Sequence, residues 1–66
     1  MVKLNFERDV LPLAKQVGAR MEREYTVINS DGTWEVYGGA GALIRGTLRE
    51  AYSFLLGIKH ATENSR

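Results

Sequence analysis

At 66 residues, with nine basic and eight acidic side chains giving a formal charge of +1, the chain has room for one core and no field strong enough to gather phosphates or an acidic membrane. It has no cysteine and a single histidine, His60, which excludes a disulfide framework and leaves a metal site short of ligands. A domain this small buries only about 60% of the surface its unfolded chain exposes, so without those staples it points to oligomerisation, most simply a homodimer, or to a binding partner.

No apolar run approaches the roughly 20 residues needed to cross a bilayer. Met1-Val2-Lys3-Leu4-Asn5 has no signal-peptide stretch. With the lack of cysteine, this predicts a cytoplasmic protein that is neither processed nor inserted in a membrane.

In chain order, Val2, Leu4 and Phe6 alternate with polar residues, which fits a short strand. A helix that starts earlier, capped by Asn5 and kinked at Pro12, fits the same residues. From Asp9 to Glu24, Val10, Leu13, Ala14, Val17 and Met21 recur at three- and four-residue steps and share one helix face. Lys15, Gln16, Arg20 and Arg23 take the other. With Asp9 as N-cap, Pro12 falls in the first turn, where backbone N–H groups lack intrahelical partners anyway.

Tyr25 to Ser30 and Thr33 to Tyr37 are β-branched and aromatic runs separated by Asp31-Gly32, the signature of a hairpin with a type I′ turn. That turn pairs Ser30 with Thr33, Asn29 with Trp34, Ile28 with Glu35, Val27 with Val36 and Thr26 with Tyr37. Tyr25, Val27, Trp34 and Val36 then share a core face, and Thr26, Ile28, Glu35 and Tyr37 share the other. The Gly-rich stretch from Gly38 to Gly46 reads as a turn, and Ala42 to Arg45 within it fits a third strand.

Thr47 followed by Glu50 is a capping box that opens a helix reaching roughly Ala61. Thr62 to Arg66 should fray. Leu48, Ala51, Tyr52, Phe54, Leu55, Leu56 and Ile58 cover more than half of this helix's wheel, leaving Arg49, Glu50, Ser53, Gly57 and His60 for water. The predicted fold class is α+β, one domain over residues 1–66. It runs helix, antiparallel hairpin with an optional third strand, helix, with both helices on one sheet face.

The side chains offer no catalytic constellation. A nucleophilic triad needs a base beside a hydroxyl or thiol, and His60 lies near a helix C-terminus, where a cation meets the helix dipole. Gly39 and Gly41 ahead of a helix start, with Arg45 and Arg49 close by, suggest an anion contact. A phosphate loop, however, needs Lys-Ser or Lys-Thr after its last glycine, and Gly46 is followed by Thr47-Leu48. Neither enzyme activity, metal nor cofactor is predicted. The wide arc of the last helix, with Phe54 and Leu56 at its margins, and the spot formed by Ile28 and Tyr37 beside Glu35 predict a protein interface, with Arg45 and Arg49 as rim charges.

Nucleic acid is the alternative partner, contacted through Lys15, Arg20 and Arg23 with Arg45 and Arg49. If Ala42 to Arg45 is a strand, the order of elements resembles that of the double-stranded RNA-binding module. Gly32-Thr33-Trp34-Glu35-Val36, then Thr47, Glu50-Ala51 and Phe54-Leu55, resemble the N-terminal DNA-binding domains of tyrosine recombinases over less than half of the chain and with a shorter strand-to-helix spacing. That resemblance implies recognition through the exposed sheet face. There, Thr26, Ile28, Glu35 and Tyr37 include no Lys or Arg, whereas a phosphate-facing surface is basic. In kind, the chain resembles the small accessory proteins of phages and mobile elements, the class that includes anti-CRISPR inhibitors. This likeness implies a non-enzymatic module that binds and inhibits a partner protein.

Overall fold

In the computed structural model, which describes residues 3–39 and 41–63, the first helical segment opens at Asn5 rather than at Asp9. The Asn5 Oδ1 accepts the Arg8 N–H at 2.8 Å, and the Asp9 carboxylate accepts the Asn5 N–H at 2.9 Å, a reciprocal cap. Phe6–Val10 winds as one π-helical turn, closed by the Leu11 N–H donating to the Phe6 carbonyl, and α1 follows over Leu11–Met21. Pro12 explains the wide turn. It has no N–H to donate one turn back, and its ring crowds the carbonyl four residues earlier. The helical reading of the N-terminal segment therefore holds over the strand reading for Leu4 and Phe6, while Val2 lies outside the described residues.

The same cap makes stability sensitive to acid. Arg8 holds the Asp9 carboxylate with Nε at 3.0 Å and Nη2 at 2.8 Å, and its Nη2 also donates to the Lys3 carbonyl at 2.7 Å. Hydrogen bonding from Arg8, then from the Asn5 N–H, lowers the Asp9 carboxyl to about 2. The unfolded-chain value is about 3.9. The folded value is the lower of the two, so the contribution of Asp9 is complete above about pH 4 and is lost as pH falls through about 2. Over that window the thermal midpoint of the wild type should drop more steeply than that of Asp9→Asn, and parallel slopes would refute this role.

α1 ends three residues before the predicted Glu24. Glu22 turns left-handed at φ 54°, and the Arg23 N–H donates back to the Gly18 carbonyl at 3.0 Å. Met21, expected on the core face, is consequently 40% exposed at the helix end.

The hairpin forms in the predicted register, β1 (Tyr25–Ser30) against β2 (Thr33–Gly38), around Asp31 at φ 55° and Gly32 at φ 85°. Both central residues sit where a type I′ turn requires them. The third strand is present as β3 (Gly41–Gly46), antiparallel to β2, in a sheet of order β1-β2-β3. Its register shifts between Val36↔Ile44 and Tyr37↔Ala42, so Leu43 is an extra, bulged residue. Leu43 and the Tyr25 ring close over Gly38, where a Cβ would meet both at 2.9–3.0 Å.

The capping box forms as read. The Thr47 N–H donates to Glu50 Oε1 at 2.7 Å, and the Glu50 N–H donates to Thr47 Oγ1 at 3.1 Å. It opens α2 (Leu48–Glu63), which ends two residues beyond the predicted Ala61; residues 64–66 lie outside the described set. Both helices lie on one face of the sheet and run parallel. Arg8 and Asp9 lie beside Arg49 and Tyr52 at one end, and Arg20 meets Glu63 at 3.8 Å at the other. Val10, Leu13, Ala14, Val17, Val27, Val36, Ala51 and Leu55 form the core between them. Phe6 stacks on Trp34, with ring centroids 5.0 Å apart, and seals the end of the core near the N-terminus.

The wide apolar arc of α2 is largely accommodated inside this layer. Ala51 and Leu55 are fully buried, and Leu48, Tyr52, Phe54, Leu56 and Ile58 are half-buried against the core. A third strand and the N-terminal turn supply the area that a two-stranded sheet lacked. No helix among the described residues is long and apolar enough to cross a membrane.

Candidate functional site

The helix-free face of the sheet collects Thr26 and Ile28 from β1, Glu35 and Tyr37 from β2, and Ala42 and Arg45 from β3. Strand alternation puts them there: each is paired across the sheet with another of the set, and their neighbours Val27, Val36 and Ile44 point to the helices. Glu35 occupies the centre. The Tyr37 hydroxyl donates to its Oε1 at 2.9 Å, and the Arg45 Nε forms an ion pair with its Oε2 at 2.9 Å. The two neighbours cover the carboxylate, so that Glu35 is only 8% exposed on a face that no helix covers.

Burying a carboxylate is unfavourable unless its charge and oxygens are compensated, and here one oxygen accepts the Tyr37 hydroxyl while the other faces the Arg45 guanidinium as an ion pair. The arrangement fixes the Tyr37 ring in return. Donation to Glu35, reinforced by the negative charge of that carboxylate, raises the Tyr37 phenol above its ordinary value of 10.0. Ile28 lies diagonal to Tyr37 across the hairpin and is 40% exposed. The result is an apolar and aromatic spot with one hydrogen-bonded polar anchor and one exposed cation, Arg45, whose side chain is 67% exposed.

The predicted site residues are thus divided among four places. Ile28, Glu35, Tyr37 and Arg45 come together on the open sheet face. Phe54 and Leu56 lie in the helix layer, half-buried against the core. Arg49 lies beside Leu4, Arg8, Asp9 and Tyr52, away from Arg45, so the two do not form a common rim or anion cradle. Lys15, Arg20 and Arg23 are exposed on or just after α1, with Arg20 facing Glu63.

The sheet face is not free of basic side chains, as a two-stranded reading implied, because β3 brings Arg45 directly opposite Glu35. That pairing is what sequence reasoning missed. The opposite charges at 35 and 45 were the available signal, but the bulge at Leu43 hides the register that joins them.

No protein-family model matches the chain, and no curated protein and no solved structure matches it.

Proposed function

We propose that this chain is a small, non-enzymatic protein-interaction module that works in the cytoplasm, binds a partner protein through its open sheet face and inhibits it, and that it also self-associates. The observation that carries the reading is the Ile28–Tyr37 spot, with Tyr37 bonded to the Glu35 carboxylate that Arg45 pairs, on a face no helix covers. Immobilised aromatics at the centre of an exposed patch lose little entropy on binding and commonly anchor interfaces. Phe54 and Leu56 contribute a second, shallower apolar margin on α2. In kind, such a module resembles the accessory inhibitors that phages and mobile elements encode.

Affinity capture from the host lysate with the tagged wild type, compared with Ile28→Ala/Tyr37→Ala, tests the reading. Retention of the captured protein should fall roughly tenfold or more, with helix content by circular dichroism unchanged. Equal capture by the folded double variant would overturn it.

A nucleic-acid-binding regulator is the second reading, favoured by one observation. With β3 in place and both helices on one sheet face, the order of elements is that of the double-stranded RNA-binding module. Lys15, Arg20 and Arg23 would face phosphates, with Arg49 and Arg45 as outliers. A gel shift that weakens steeply between low and moderate salt supports phosphate contacts, and no shift at low salt removes the reading.

A further inference from the structure

We propose that the free edge of β1 pairs with β1 of a second copy of this chain, antiparallel about a two-fold axis at Val27, so that two three-stranded sheets become one. The proposal rests on the self-association proposed above and supplies its surface and register. β1 is an edge strand. Ser30 and Thr33 close the two-residue turn as a hydrogen-bonded pair, so the main-chain groups of Thr26 and Ile28 also point to β2, and those of Tyr25, Val27 and Asn29 point outward. Among the described residues, no backbone hydrogen bond from outside the sheet reaches these three.

One register uses all of them. With Val27 facing Val27 of the second copy, Tyr25 faces Asn29 of that copy and Asn29 faces its Tyr25, so every outward N–H and carbonyl on β1 gains a partner. The same register sets Arg23 opposite Asp31 of the second copy at both ends of the pairing. It also sets the exposed Ile28 beside Thr26 of the second copy. Sliding by two residues in either direction breaks both charge pairs and leaves one outward residue without a strand partner.

The surroundings of β1 leave room beside it. A groove of about 500 Å³ runs between α1 and β1, lined on the helix side by Leu11, Ala14, Gly18 and Ala19 and on the strand side by Tyr25, Thr26 and Val27. β3, the opposite edge, is blunted by the bulge at Leu43, by glycines at both ends and by Arg45. β1 has six residues with no irregularity in its pairing. Of the two edges, β1 is the one built to pair.

Sedimentation equilibrium of the wild type should show the mass rising with concentration from 7.4 kDa towards twice that value. Arg23→Glu sets like charges against Asp31 at both ends, and should raise the dimer dissociation constant roughly tenfold or more at low salt, less as salt is added. The register is read by crosslinking, since the chain has no cysteine of its own. Thr26 and Ile28 are exposed and would face each other as a non-hydrogen-bonded pair, the closer kind. Oxidising a mixture of Thr26→Cys and Ile28→Cys proteins should give the mixed disulfide dimer in preference to either homodimer. A chain that stays monomeric at every concentration overturns both this surface and the self-association on which it rests. A dimer that is insensitive to Arg23→Glu, or that crosslinks mainly as the Ile28→Cys homodimer, overturns this surface and leaves self-association standing.

Discussion

Leu55→Ala should cost about 2–5 kcal/mol of folding free energy, against a total of roughly 3–10 kcal/mol for a chain of this length. Leu55 is completely buried, and it belongs to the same core as Val10, Val17 and Val36, all likewise at 0% exposure. It is the largest side chain fully enclosed. Its removal leaves a void that three β-branched neighbours, stiff at χ1, cannot refill. A chain of 66 residues has no second core to carry the loss, so the variant should lose a large fraction of its total stability. Urea titration at one fixed protein concentration measures it, because self-association would otherwise enter the midpoint. Leu55→Met, which roughly conserves volume, should cost less than about 1.5 kcal/mol. Similar midpoints for the alanine variant and the wild type would mean that this core does not hold the fold.

Gly18→Ala is expected to destabilise the protein, although the same exchange inside an ordinary helix gains about 1 kcal/mol. A Cβ on Gly18 would come within 2.7 Å of the Arg23 carbonyl oxygen, a backbone atom that cannot rotate away. The chain folds back there because the Arg23 N–H reaches the Gly18 carbonyl, and that reversal delivers Tyr25 into β1. Overpacking of this kind costs about 1–3 kcal/mol, which outweighs the propensity gain. Glu22→Gly, in the same reversal, should stabilise by about 1 kcal/mol by relieving a side chain held at φ 54°. The two changes share one motif, so their effects should not add in the double variant. Thermal or urea unfolding of the three variants decides the matter, and a stabilised Gly18→Ala would show that the reversal is looser than its geometry.

How far the sequence could be read follows from how local each determinant is. The Asp31-Gly32 turn and the Thr47–Glu50 capping box depend on residues within a few positions of one another, and they formed with the pairing and start inferred for them. The N-terminal cap was harder, because Asn5 and Asp9 are both good cap residues, and only the wide turn forced by Pro12 lets Asn5 serve as the cap while Asp9 bonds back to it. β3 was visible only as an apolar stretch among glycines, and its bulge shifts the register by one. The Glu35–Arg45 pair depends on that shift, so it could not be placed from the hairpin alone. The apolar arc of α2 was legible as an arc. How much of it the fold could cover depended on the area supplied by β3 and the N-terminal turn, which is a tertiary quantity.

The stack of Phe6 on Trp34 gives the molecule a built-in optical reporter. Trp34 is the sole indole in the chain, and the ring lying against it belongs to the π-helical turn rather than to either long helix. Its fluorescence therefore follows the seating of the Phe6–Val10 turn, while the far-ultraviolet dichroism follows α1 and α2. A shift in emission that precedes the loss of ellipticity on warming would identify that turn as the first part of the molecule to come loose.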